Sequence, residues 1–173
     1  MSTLPTLRAL LIDELRDLYF VEKHLIKAIP KLAQASEDAE LKAAFKAHLK
    51  ETRGHAARLQ KAMKLLGAPV RAKTCHAILG LIKEGGEAVE TKGPGAVRDA
   101  NIIGAGQRVE HFEIAGYGTA RSFAQALGYT KVADLLQATL NEEGAANDKL
   151  TTISATVNQV ALGFAGVGFV TAA

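Results

Sequence analysis

Carboxylates stand in this chain where leucines are expected. Leu15, Leu18, Glu22, Leu25 and Ile29 recur at helical spacing, and Glu22 occupies the middle of that apolar stripe. A second stripe reads Ala44, His48, Glu51, His55, Leu59, and a third Ile103, Gly106, Glu110, Glu113, Tyr117, Ala120. A fourth reads Val132, Leu136, Thr139, Glu143, Ala146, Leu150. Several carboxylates gathered in a dry core repel one another and lose solvation, at a cost of several kcal/mol per ion. Protons relieve this by raising pKa values, and a pair of multivalent cations relieves it better. Two bridged metals want hard oxygen donors with imidazole as a terminal ligand, and a helical bundle supplies these from facing helices. Glu51 and His55, four residues apart, share one helical face, as do Glu110 and Glu113 at a spacing of three. The expected ligands are Glu22, Glu51, His55, Glu110, Glu113 and Glu143, with Glu51 and Glu143 as bridges. No histidine follows Glu143 at either spacing, since Ala146 and Asn147 stand there. Oxygen-rich ligation of this kind suits iron best, with manganese or zinc admissible.

A single Glu in a helix is more often a solvated face residue, so the signal lies in four helices each offering one at mid-height. Glu142 competes with Glu143 for the inward position, and the apolar stripe favours Glu143. Tyr117 is placed either to donate a hydrogen bond to a ligating carboxylate or to pack in the core. His48 and His111 flank the expected site and read as outer or surface groups.

The elements that must position these side chains are all helical. Residues 6–29 read as one amphipathic helix, with Pro5 near its start and Pro30 at its end or at a kink. Ser36 or Asp38 caps a second helix that runs to about Leu66 and stops at Gly67 and Pro69. Residues 70–98 are too long for a tight turn and carry a short helix from about His76 to Ala88. Asp99 or Ala100 opens a third long helix to about Leu127, and a fourth spans Thr130 to about Gln159. Gly104, Gly106, Gly116 and Gly118 read as sites of close helix approach. The pattern predicts an all-α, ferritin-like four-helix bundle of two hairpins joined by a long crossover, over residues 1–159. The two hairpins align weakly at an offset of 91, which superposes Glu22 on Glu113 and Glu51 on Glu142.

Residues 160–173 form an apolar, glycine-containing tail without charge, expected to take an irregular course against the bundle or across a dimer interface. It is too short to span a bilayer as a helix, which needs about 20 residues. Met1–Arg8 lacks the basic start and cleavage site of a secretory signal. With 48% hydrophobic and 23% charged residues the 173-residue chain is globular, and 21 Lys+Arg against 18 Asp+Glu form no basic run that would suggest nucleic acid. The lone Cys75 excludes an internal disulfide and fits a reducing, cytoplasmic compartment.

Several segments then carry a resemblance. Leu15–Lys23, His48–His55, Leu140–Glu143 and, most specifically, Val109-Glu110-His111-Phe112-Glu113-Ile114-Ala115 followed by Gly116-Tyr117-Gly118-Thr119 resemble the YciE/YciF family of bacterial ferritin-like stress proteins. The crossover Cys75–Gly85 is similar to theirs as well, and the resemblance spans about residues 6–158. It implies a ferritin-like bundle, a homodimer, a dinuclear metal site and a role in stress response. The expected function is therefore a dimetal, di-iron protein that oxidises Fe(II) with oxygen or peroxide, a ferroxidase-like or peroxidase-like activity. The alternative is a non-catalytic dimeric scaffold or partner-binding protein with an empty site.

Overall fold

The computed structural model describes residues 4–164 and is helical throughout them, with no strand among the described residues. The helices are α1 (Leu7–Ala35), α2 (Ala39–Leu65), α3 (His76–Val89), α4 (Gly95–Ala126) and α5 (Thr130–Phe164). Helices α1 and α2 form one hairpin, α4 and α5 the other, and α3 lies in the crossover against α4 and α1. This is the expected bundle of two hairpins. The Thr6 hydroxyl accepts from the Ala9 N–H at 3.1 Å and starts α1. Gly67 and Gly128, at φ 63° and 74°, supply the left-handed residue that ends α2 and α4.

Three boundaries differ from expectation. Helix α1 runs through Pro30 to Ala35. An interior proline costs about 3 kcal/mol, offset here by burial of Ala33 and by Leu32, which packs against Gly85 of α3. Helix α4 begins at Gly95, behind Pro94, so Asp99 lies one turn inside it. There it caps a different helix: its buried carboxylate accepts the N–H of Glu37 at 3.0 Å and of Asp38 at 2.7 Å, at the start of α2. Helix α5 continues past Gln159 to Phe164. The rest of the apolar tail, and its expected packing, lies outside the described residues.

The core is divided into two apolar layers. One gathers Leu11, Leu15, Leu18, Leu59, Met63 and Leu136. The other gathers Leu25, Ile29, Phe45, Ile103, Leu150 and Ile153, sealed by Ile78 and Ala88 of α3. Between them, α1, α4 and α5 place buried acids and α2 places two histidines. Two glycines make the spacing possible. A Cβ on Gly116 would stand 2.9 Å from Leu18 Cδ2, and one on Gly106 would stand 3.2 Å from Leu150 Cδ1. Gly104 and Gly118 would meet nothing within 4 Å, so they are not the close-approach points their spacing suggested.

Candidate metal centre

The inner stripes of α1, α4 and α5 deliver their acids because the apolar residues on either side must be buried, and the intervening Glu is carried inward with them. Glu22 of α1, Glu110 and Glu113 of α4 and Glu143 of α5 are all buried, together with His48 and His55 of α2. Glu143 settles the choice left between adjacent acids: it is 0% exposed, against 33% for the Glu142 side chain. Its carboxylate reaches both halves of the cluster. Oε1 lies 2.9 Å from His55 Nδ1, and Oε2 lies 3.7 Å from His48 Nε2. Glu22 Oε1 stands 3.5 Å from His55 Nδ1, and Glu110 Oε1 stands 3.4 Å from His48 Nε2. Tyr117, fully buried one turn beyond Glu113, donates its hydroxyl to Glu22 Oε1.

Two overlapping groups of ligand atoms result. His48, Glu110, Glu113 and Glu143 bring one donor each within 4.8 Å of one another, and so do Glu22, His55 and Glu143. Either group could hold a metal ion, and Glu143 belongs to both. Five of the six residues expected from sequence therefore meet in the buried cluster.

Glu51 does not join it. Its side chain is 45% exposed and pairs with His48 Nδ1 at 3.3 Å. The buried line of α2 runs through Leu41, Phe45, His48, Thr52, His55 and Leu59, which leaves Glu51 roughly 80° off its centre at 100° per residue. The inward places are taken by Thr52, whose hydroxyl is satisfied by the His48 carbonyl at 2.8 Å, and by His48. His48 is the residue that spacing alone assigned to the periphery. His111, its companion in that reading, is exposed.

Sequence reasoning also missed how the histidines are held. His55 Nε2 lies 2.8 Å from Glu142 Oε2, and Arg58 grips both oxygens of that carboxylate at 2.6 and 2.7 Å. Arg58 also donates to Thr139 Oγ1 at 3.2 Å. This leaves Nδ1 of His55 facing the buried acids. His48 repeats the arrangement, with Glu51 on Nδ1 and the buried acids on Nε2. Glu51 and Glu142 are the pair superposed by the 91-residue offset, and the offset was the signal that could have assigned both to one role.

Electrostatics follow from burial. Desolvation raises Glu22 and pushes Glu110 up to about 8. Glu113 rises well above the ordinary carboxylate range, by burial first and then by the charges of Glu143 and Glu22. Burial alone would lower the two imidazoles, but the facing carboxylates outweigh it. His48, against Glu51, Glu110 and Glu143, is raised to about 9, and His55, against Glu143 and Glu22, to about 10. On the rim the order reverses: the hydrogen bond from His48 lowers Glu51, and that from Arg58 lowers Glu142. A cavity of about 380 Å³ between α2 and α5 connects this acidic rim, including Glu40, Glu51 and Glu142, to His48 and Glu110.

Comparison with known proteins agrees with this geometry. The family described as a domain of unknown function, DUF892, matches residues 6–162. Protein YciF of Escherichia coli (strain K12) is 42% identical over 150 residues, covering 86% of this chain and 90% of its own. The crystal structure of the E. coli stress protein YciF matches with a TM-score of 0.86 at 40% identity, over 90% of this chain and 98% of that one. A two-domain protein of Anabaena variabilis, with dj-1/thij/pfpi-like and ferritin-like domains, matches with a TM-score of 0.60 at 12% identity. That match covers 99% of this chain and 41% of the other, and it bears on the ferritin-like fold alone. Among the described residues no helix is long and apolar enough to cross a membrane.

Proposed function

The chain belongs to the DUF892 family, and we propose that its buried cluster is a dinuclear metal centre, with iron the best fit and manganese or zinc admissible, serving in a bacterial stress response. One observation carries this reading. Glu22 Oε2, Glu110 Oε2, Glu143 Oε2 and both oxygens of Glu113 are buried without any hydrogen-bond partner, and His55 Nδ1 and Glu143 Oε1, though 2.9 Å apart, are not aligned as a hydrogen bond. Each such atom costs about 1–3 kcal/mol when left unsatisfied, more if charged. Cations would satisfy them all. His48, Glu110 and Glu113 would hold one ion, Glu22 and His55 the other, and Glu143 would bridge them.

Bound there, a pair of iron ions would supply two-electron redox chemistry. With Fe(II) as substrate, two ferrous ions give two electrons to one hydrogen peroxide, which takes up two protons and leaves as two waters. The chain's own residues set the stage for it. Tyr117 fixes the rotamer of Glu22 by donating to Oε1. Glu142, itself clamped by Arg58, holds His55 so that Nδ1 faces inward, and Glu51 holds Nδ1 of His48 so that its Nε2 faces inward. Glu40, Glu51 and Glu142 on the α2/α5 cavity, against the single Lys149, give cations an approach of opposite charge.

The same reading carries a cytoplasmic homodimer, supported by the family resemblance and by Val160 and Leu162, exposed where α5 leads into the apolar tail. Protein purified without chelator and loaded anaerobically with Fe(II) is expected to retain about two ions per chain, as carboxylate-bridged bundles do. Peroxide or oxygen should then produce a ferric absorption that Glu143→Ala abolishes. A chain that retains no metal at any loading would instead be a helical scaffold.

A further inference from the structure

A second cavity, of about 330 Å³, reaches the same cluster from the opposite side, between α1, α3 and α4. Its walls are apolar, formed by Leu25, Ile82, Val89 and Val109, and its buried end is His48 with Glu110. Those two residues also line the α2/α5 cavity, so the candidate centre lies between two largely apolar openings that differ in their charged groups, Glu40, Glu51 and Glu142 with Lys149 on that side. The charged groups of the α1/α3/α4 cavity are Lys27 and Lys31, both exposed on α1, and the exposed Glu90, with half-buried His24 also on its lining. From His24 to Lys31 the helix advances about 10 Å. The size falls at the lower end of small-molecule sites, roughly 300–1,000 Å³. Walls this apolar offer water few partners, so an apolar occupant is favoured over solvent.

The two ends specify that occupant. An apolar body would fill the channel, and an anionic head would meet the lysines at the rim, where a charge-assisted hydrogen bond is available. A cation suits the opposite opening and is repelled here. We propose that this cavity binds a medium-chain fatty acid, carboxylate at Lys27 and Lys31, alkyl chain directed toward His48 and Glu110. Binding itself requires no metal and is independent of the dinuclear reading above.

The test is calorimetric titration of the full-length, chelator-treated protein with octanoate, alongside neutral octan-1-ol. Saturable binding of about one octanoate per chain is expected. Lys31→Glu should weaken octanoate roughly tenfold or more and leave octan-1-ol unchanged, because only the charged contact is reversed. Ile82→Trp should weaken both by filling the channel, while Zn(II) uptake, measured separately, stays as in the parent. Absence of saturable octanoate binding overturns the proposal. So does octanoate affinity that is unchanged in Lys31→Glu, a surface substitution that decides the matter even if Ile82→Trp does not fold. Octanoate binding without any metal uptake would sink the dinuclear reading and leave the cavity assignment standing; metal uptake without octanoate binding would do the reverse.

Discussion

Glu113→Gln should stabilise the metal-free protein at neutral pH while weakening its response to metal. Glu113 is 0% exposed, and neither of its oxygens has a partner. Its folded pKa lies well above the ordinary value of 4.5, so folding at neutral pH takes up a proton. The sign follows from linkage: a group raised on folding contributes its full stability below the unfolded value and loses it as pH climbs through the folded one. Holding a carboxyl of ordinary pKa 4.5 protonated at pH 7 costs up to 1.36 kcal/mol for each of 2.5 units, about 3 kcal/mol. Glutamine occupies the same volume without that cost. Its amide must still find a buried acceptor, a cost of about 1–3 kcal/mol if it fails, but one that does not vary with pH. The informative quantity is therefore the variant-minus-parent stability at pH 7 less the same difference at pH 4.5, expected to lie in the variant's favour by no more than about 3 kcal/mol. At about 2–4 °C per kcal/mol for a chain of this size, the melting temperatures should diverge in that direction by no more than about 6–12 °C between the two conditions. Adding metal at neutral pH should narrow the variant's advantage, since a ligand at a hundred times its Kd adds about 2.7 kcal/mol to the parent and less to a variant lacking one donor. Thermal unfolding with chelator and with Zn(II), at both pH values, reads all of this. A variant effect that is the same at pH 4.5 and pH 7 would refute the claim that burial holds Glu113 protonated.

Four further outcomes follow from the structure. The chelated protein should lose stability as pH rises from about 5 toward 9, because Glu110, His48 and His55 titrate near 8, 9 and 10 when folded, above their ordinary values of 4.5, 6.5 and 6.5. Metal binding should correspondingly tighten with pH and release protons into a weak buffer at pH 6.5; proton-neutral binding there would contradict it. Glu142→Gln should lower Zn(II) affinity roughly 10- to 100-fold by loosening His55, with a smaller loss for Glu51→Gln, whose contact to His48 is longer at 3.3 Å. Equilibrium competition with a chromophoric chelator ranks the two. Asp99→Ala should cost about 2–3 kcal/mol by stripping the α2 N-terminus of its acceptor, lowering the melting temperature by about 5–10 °C and leaving metal affinity as it was.

The features legible in the sequence are those that depend on one helix at a time. Stripes such as Leu15, Leu18, Glu22, Leu25 announce both a helix and a buried carboxylate, since four strong apolar neighbours fix which face turns inward. On α2 the evidence is thinner. Phe45 and Leu59 define the buried face, yet Thr52 reads as polar and Ala44 as apolar, so the stripe drawn through Ala44 rotates the helix toward Glu51 and away from Phe45 and Thr52. Features that depend on two elements were out of reach. Asp99 looks like the start of its own helix, and only the packing of α4 against the α1–α2 turn shows whose N–H groups it serves. Pro30 signals an ending by local rules, but burial of Ala33 on α3 overrides them. The pairing of Glu142 with His55 and Arg58 is likewise a tertiary fact, although the superposition of Glu51 on Glu142 already held its outline. Gly106 could be told from Gly104 by register alone, because it shares the stripe of Glu110, Glu113 and Tyr117, whereas the close approach at Gly116 depends on where Leu18 of α1 falls.

The dinuclear reading stands or falls on where electron-dense ions settle. Anomalous diffraction from crystals of the protein loaded with Fe(II) or Zn(II) should show two peaks on either side of the Glu143 carboxylate, one among His48, Glu110 and Glu113, the other between Glu22 and His55. A map in which metal appears only on the exposed rim at Glu51 and Glu142, or in which the buried carboxylates carry no peak at saturating metal, would contradict it.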